Sequence, residues 1–194
     1  MPKRHPASTI VRSQMAMARR WMLPIVVLSG FSGLVLEVIW VRLATLTLGI
    51  TIHAGEAGRA ANVREAVEVL HAQRIGHGIS AIEDSSVVQL LRQHSVTLEV
   101  CPTSNLQTGA IDNFGLHPLR DLYVLGVNVT INTDDPSISD TTLTDEYMVA
   151  VLGLGVSLPD LRQCLRNSIH AAFLPLAERQ RLEQLILSEF DAIV

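Results

Sequence analysis

The sequence predicts an α/β fold in which a parallel sheet carries its helices on the outside. Two observations point there. From Thr51 onward, short apolar segments with strand character alternate with longer segments of helical period. Three of the strand-like segments run into glycine or proline beside ionisable side chains: His53-Ala54-Gly55-Glu56, Arg74-Ile75-Gly76-His77-Gly78 and Thr133-Asp134-Asp135-Pro136. A third observation sets a boundary. The first fifty residues share neither pattern.

Residues 1–20 are basic and weakly patterned. Residues 21–50 are apolar, and Trp21 to Leu36 is a run of 16 residues without a charge. A helix needs roughly 20 residues to span a bilayer, so the run reaches that length only by taking in Glu37. Three readings compete for it: a membrane helix, a signal peptide, and a buried or artefactual helix. The basic flank would hold the N-terminus of a membrane helix on the cytoplasmic side. Against a signal peptide, the apolar stretch runs long and no clear small-x-small site follows it. Ser29-Gly30-Phe31-Ser32-Gly33-Leu34-Val35-Leu36-Glu37-Val38-Ile39-Trp40-Val41-Arg42-Leu43 resembles the first membrane helix of spermidine-synthase-like membrane proteins. That resemblance covers no aminopropyltransferase site and implies no activity.

The fold proper is expected over residues 51–194, with its first strand starting near Gly49-Ile50-Thr51-Ile52. Val63, Ala66, Val67 and Leu70 recur at helical spacing. Arg74-Ile75-Gly76 reads as a short strand. Asp84 can cap a helix whose face is Val87, Leu90 and Leu91. Val96 to Val100 alternates as a strand and stops at Pro102. Leu116, Leu119, Leu122 and Val124 suggest a helix, and Val127 to Ile131 a strand that ends at the double aspartate. Beyond Thr144 the chain is helical. Ser157 with Asp160 forms a capping box ahead of a stripe of Leu158, Leu161, Leu165 and Ile169. A last helix runs from about Leu176 to Phe190.

Charge narrows the partners. The net charge of −4 combines +5 over residues 1–50 with −9 over the remainder. An acidic body argues against nucleic acid, which needs a basic face. Cys101 and Cys164 are far apart and make no CxxC pattern, as expected in a reducing compartment. Cys101 is expected to be buried, and Cys164 to be partly exposed on its helix.

Histidines and carboxylates at successive strand ends are how a barrel enzyme assembles a metal-assisted hydrolysis site. His53 and Glu56 suit a metal ligand and a proton donor, although a lone strand-end histidine is more often structural. His77 sits between two glycines, where it has little packing value. Asp134 and Asp135 follow an apolar strand, and two such charges need a cation or hydrogen-bond donors. Neighbours on an extended chain point to opposite sides, so the two carboxylates should have different jobs. An Asx turn before Pro136 is the plainer alternative. His71, His94, His117 and His170 read as capping, solvated, loop or packing residues.

Taken together, these blocks resemble the adenosine deaminase family of zinc-dependent aminohydrolases. Glu99-Val100-Cys101-Pro102-Thr103-Ser104-Asn105 and Leu106-Gln107-Thr108-Gly109 extend the match, which runs from about Thr51 to the C-terminus. The resemblance implies a partial TIM (β/α)8 barrel, strands 5 to 8 with C-terminal helices. It implies hydrolytic deamination of adenosine to inosine, with zinc as cofactor and a cytoplasmic location. By the same resemblance His53 and Asp134 are zinc ligands, and Glu56 donates a proton to purine N1. His77 orients the activated water and helps to deprotonate it. Asp135 meets purine N7, and Gly55 lets the substrate approach the backbone. Ile75-Gly76-His77-Gly78 and Asn105-Leu106-Gln107-Thr108-Gly109 look closer to adenosine deaminases than to adenine deaminases. Adenine or an aminofutalosine-type nucleoside remains an alternative substrate.

One departure is plain. Family members carry a His-x-His zinc pair on the first strand, and these 194 residues contain none. A catalytic zinc usually has at least three protein ligands. The expectation is therefore a fusion or truncation near residue 50 and an isolated chain of weak zinc binding and low turnover. Alternatives are a non-enzymatic remnant tethered to a membrane through residues 21–42, and one half of a split deaminase. Open sheet edges would favour self-association or pairing with the missing barrel half.

Overall fold

A computed structural model describes residues 49–193. The expectations for the basic and apolar N-terminal segments, including the membrane helix, lie outside the described residues. Among the described residues, no helix is long and apolar enough to cross a membrane.

Four strands form one sheet: β1 Thr51–Ala54, β2 Arg74–His77, β3 Thr97–Val100 and β4 Asn128–Ile131. Each pairs in parallel with the next, in the order β1-β2-β3-β4. Parallel neighbours require crossovers, and helices supply them. Helix α1 (Ala60–Glu68) joins β1 to β2, and α2 (Ser85–Gln93) joins β2 to β3. Helices α3 (Pro102–Gln107) and α4 (Leu119–Val124) lie between β3 and β4. After β4 come α5 (Pro136–Ser139), α6 (Leu143–Met148), α7 (Leu158–Ala171) and α8 (Leu176–Ile193). Helix α7 packs on β4, and α8 packs on α7.

The register divides the sheet into two chemically different faces. Ile52, Ile75, Leu98 and Val129 stand side by side. The last three are fully buried, in one cluster with Val63, Val87, Leu91, Leu119 and Leu122 from the helices. This outer face supplies the apolar core. On the other face, His53, Gly76, Glu99 and Thr130 share one level, with Thr51, Arg74, Thr97 and Asn128 on the level below. Arg74 ties that lower level together. Its guanidinium donates to Thr51 Oγ1 at 2.9 Å, pairs with Glu99 at 3.2 Å and lies 4.0 Å from the centre of the Phe173 ring.

The helix signals hold where local chemistry sets them. Asp84 accepts from the Ser86 amide at the start of α2. Ser157 and Asp160 form the reciprocal capping box of α7. The apolar stripes hold less well. Helix α1 ends at Glu68, so Leu70 falls beyond it and is exposed. Leu116 lies in a separate short 3-10 turn, and both it and Val124 are exposed. Leu158 occupies the first, exposed turn of α7. Cys164, expected to be partly exposed, is buried beside Leu161 on the inward side of α7. Burial pushes its thiol up to about 12. Cys101 is buried as expected, and burial raises its thiol strongly.

Candidate active site

The site lies at the carboxyl ends of the strands, where a parallel sheet exposes its loops. His53 projects from β1 onto the polar face. Its neighbour in register is Gly76, and a Cβ built there would come within 2.7 Å of the His53 ring. Glycine at 76 therefore makes room for the imidazole. Replacing it with valine is expected to displace the ring and to lower zinc affinity about tenfold, the loss typical of a disturbed ligand setting. Titration of the purified variant with zinc against a chromophoric chelator measures it.

After β1 the chain turns through Gly55, whose φ is +70°. A Cβ there would collide with Val63 Cγ2 and Ser80 Oγ, so packing alone demands glycine. The turn delivers Glu56, whose Oε1 accepts from Thr108 Oγ1 at 3.0 Å and Asn105 Nδ2 at 3.4 Å. Its Oε2 lies 3.4 Å from His77 Nε2.

His77 ends β2 in the left-handed region (φ +63°) and is 1 % exposed. Burial lowers its pKa, opposed by the charges of Glu56 and Asp134 and reinforced by His53. The His53 and His77 rings meet edge to face with centroids 5.1 Å apart. Asp134 follows β4, also left-handed at φ +60°. Its Oδ2 accepts from Ser104 Oγ at 2.8 Å and lies 3.8 Å from His77 Nε2. Donor atoms of His53, His77 and Asp134 all fall within 4.8 Å of one another. Imidazole and carboxylate are the donor types that zinc takes.

Asp135 meets other partners. It caps α5, its Oδ1 accepting from the Ser137 and Ile138 amides at 3.0 and 3.2 Å. The Asx-type role foreseen as the plainer alternative is thus real, and it leaves Oδ2 for other work. The adjacent aspartates thus meet different partners, although Asp134 lies in the left-handed region rather than on an extended chain.

The site holds more than the strand-end blocks announced. Ser104, Asn105 and Thr108 on and just after α3 reach Asp134, His77 and Glu56. His117, read from sequence as a loop residue, is buried. Its Nε2 lies 3.3 Å from Asn105 Oδ1, and burial pulls its pKa down to about 4. Glu146 on α6 is completely buried and holds the start of α3 by accepting from the Thr103 amide at 3.1 Å. No local signal marks His117 or Glu146, because both act on residues distant in sequence.

Two clefts meet at Glu56. One, of ≈ 480 Å³, includes His53 and Gly55. The other, of ≈ 500 Å³, includes Ser80 and Thr108. A further cleft of ≈ 470 Å³ lies at the opposite end of the strands, around Arg74 and Asn128, and contains none of the strand-end site residues.

A parallel βα sheet with an imidazole–carboxylate cluster at its carboxyl ends is the arrangement from which metal-dependent hydrolases of the barrel class are built. The particular family follows from comparison: residues 40–189 match the adenosine deaminase family model, and the chain belongs to that family. It is 39% identical over 153 residues to an adenosine deaminase from Shewanella denitrificans, covering 79% of this chain and 46% of that protein. It is 45% identical over 135 residues to an adenine deaminase from Sinorhizobium fredii, covering 70% of this chain and 42% of that protein. The chain thus spans somewhat under half the length of these relatives. Among solved structures, an adenine deaminase from Arthrobacter aurescens superposes with a TM-score of 0.73 at 37% identity, over 78% of this chain and 46% of that one. An amidohydrolase from Burkholderia ambifaria with bound Zn superposes with a TM-score of 0.70 at 26% identity, over 78% and 42%. High similarity to both adenosine and adenine deaminases leaves the choice between them to the site.

Proposed function

We propose that residues 51–194 form strands 5 to 8 of an adenosine-deaminase-type barrel and carry the proton-handling half of its site. The reaction is hydrolytic deamination of adenosine to inosine. The observation that carries this reading is the convergence of Glu56 and Asp134 on one buried imidazole, at 3.4 and 3.8 Å from His77 Nε2. The donor set fits zinc, with His53 and Asp134 as the ligands.

Zinc, when bound, makes an attacking water available near neutral pH. The chain's own residues do the rest. Glu56, placed by Thr108 and Asn105, holds a proton at purine N1 and makes C6 electrophilic. His77 and Asp134 orient the water at C6. A C6–O bond forms, the bond from C6 to the amino nitrogen breaks, and ammonia leaves with a proton. Asp135 meets N7; because N7 only accepts, that contact requires a proton on Asp135 Oδ2. The Ile75-Gly76-His77-Gly78 and Asn105-Leu106-Gln107-Thr108-Gly109 forms favour the nucleoside over the free base.

With two zinc ligands and no His-x-His pair in its 194 residues, the chain alone is expected to bind zinc weakly and to turn over little adenosine. Zinc content of the purified chain and the absorbance change from adenosine to inosine test this together. One tightly held zinc with rapid inosine formation would overturn the low-turnover reading. Inosine formed only after mixing with a polypeptide carrying a His-x-His strand would assign a split deaminase. Adenine consumed in preference to adenosine would overturn the substrate assignment.

A further inference from the structure

We propose that His117 is a positioning residue that fixes the tautomer of His77 through Asn105, so that His77 presents Nε2–H to the reaction site. The tautomer itself follows from the hydrogen-bond chain; its consequence for the attacking water rests on the deaminase reading above.

The chain of bonds starts from a group whose role is unambiguous. At one end the Leu119 backbone amide can only donate, and it donates to His117 Nδ1 at 3.0 Å. A neutral imidazole has one N–H, so the His117 proton sits on Nε2. From there it is donated to Asn105 Oδ1 at 3.3 Å. At the other end the Glu56 carboxylate oxygen accepts from Asn105 Nδ2 at 3.4 Å. Both contacts orient the Asn105 amide the same way, with its oxygen to His117 and its nitrogen to Glu56 and His77.

That orientation decides His77. Asn105 Nδ2 lies 3.1 Å from His77 Nδ1, and an amide nitrogen only donates. Nδ1 must therefore be the bare nitrogen and Nε2 must carry the proton. Burial disfavours the charged form of the His117 ring, and near pH 8 a histidine is ordinarily neutral. At metal sites generally, the hydrogen bond made by one ring nitrogen selects the tautomer at the other.

Two consequences distinguish this from a packing role for His117. A protonated Nε2 has no lone pair for a metal ion. Of the three groups within 4.8 Å of one another, His77 is then not a ligand, and His53 and Asp134 are. Nor can Nε2–H take a proton from water. His77 orients the water by donating to it, and proton abstraction falls to a carboxylate. This revises the sequence expectation that His77 helps to deprotonate the water.

The test is tautomer assignment by two-bond proton–nitrogen correlation on the full chain labelled with 15N-histidine, at about pH 8, where histidine is ordinarily neutral. Loss of its signals in His77→Gln identifies His77. The expected spectrum has a protonated-type Nε2 and an unprotonated-type Nδ1, the Nε2–H form in about tenfold excess or more. That ratio corresponds to about 1.4 kcal/mol, the net worth of one hydrogen bond. Asn105→Asp presents only acceptors to Nδ1 and is expected to invert the tautomer. His117→Phe frees the amide to turn and is expected to give a mixture, while His117→Gln, which retains a donor, restores the Nε2–H form. An Nδ1–H tautomer in the unaltered chain, or a switch to it on adding zinc, would overturn the proposal. So would an unchanged tautomer in a folded His117→Phe chain. If that variant does not fold, the wild-type spectrum and Asn105→Asp decide alone.

Discussion

Asp134→Asn is expected to weaken zinc binding by the chain at least about a hundredfold while leaving the fold intact. The magnitude follows from comparison with outer partners. Loss of a residue that merely supports a ligand typically costs 10- to 100-fold in affinity, and loss of the ligand's own charge exceeds that. The choice of asparagine follows from the backbone. Asp134 sits at φ +60°, where most side chains are strained and Asn and Asp are tolerated. An alanine or valine would confound loss of charge with strain in the turn after β4. Asparagine keeps an oxygen to accept from Ser104, 2.8 Å away in the unaltered chain, so the local bond survives. Zinc titration gives the affinity, and a thermal melt without metal gives the fold. An affinity unchanged within a few fold would remove Asp134 from the ligand set and leave His53 with no carboxylate partner. A lowered melt without metal would instead show that the aspartate matters for the turn.

That both aspartates stand out in the sequence, while their partners do not, shows how legibility is divided in this chain. Signals carried by neighbours along the chain are readable. Asp84 and Ser157 with Asp160 each announce a helix start, and each does so in the structure, while the turn expected before Pro136 proves to be the cap of α5. The strand ends are readable for the same reason, because glycine and proline mark the turn and ionisable groups mark the loop. Apolar stripes are less reliable, because their spacing does not say where a helix stops. Leu70 and Leu116 fit the helical period yet lie outside the helices, and Val124 is the last residue of α4 and exposed. Least readable are groups whose partners come from elsewhere. His117 looks like a loop residue before a proline until Asn105, 12 residues back, is brought against it. In the sequence Gly55 reads as a place of substrate approach and Gly76 only as one of two glycines flanking His77. In the structure one is required by Val63 and Ser80, and the other by the His53 ring.

Glu146 is the extreme case, and its removal is expected to have the largest effect on stability. Nothing in Leu143-Thr144-Asp145-Glu146-Tyr147 marks it out from an ordinary helical glutamate. Yet it is completely buried, and its two oxygens divide between two segments of the site. Oε2 accepts from the Thr103 amide in the first turn of α3, and Oε1 accepts from Thr141 Oγ1 at 3.0 Å, in the loop between α5 and α6. The carboxylate therefore fastens α3, whose Ser104 and Asn105 reach Asp134 and His77, to the segment that follows the double aspartate. Glu146→Ala takes the acceptor from a partly buried backbone amide, leaves the buried Thr141 hydroxyl only a longer bond to the Thr142 carbonyl at 3.4 Å, and opens a cavity. A cost of about 3 kcal/mol is expected, the usual scale for stranding buried donors. Glu146→Gln keeps the shape and one acceptor and is expected to cost about 1 kcal/mol. Urea unfolding of the two variants measures both. Hydrogen exchange at the Thr103 amide adds a local reading, fast in Glu146→Ala and slow in the parent chain. If both variants unfold at the parent's midpoint, Glu146 is a passenger and α3 is held by its packing alone. If only the alanine variant falls, the shape and one hydrogen bond suffice. Comparable losses in both would make the full negative charge the essential element, a carboxylate holding the N-terminal turn of α3 against the loop beyond β4.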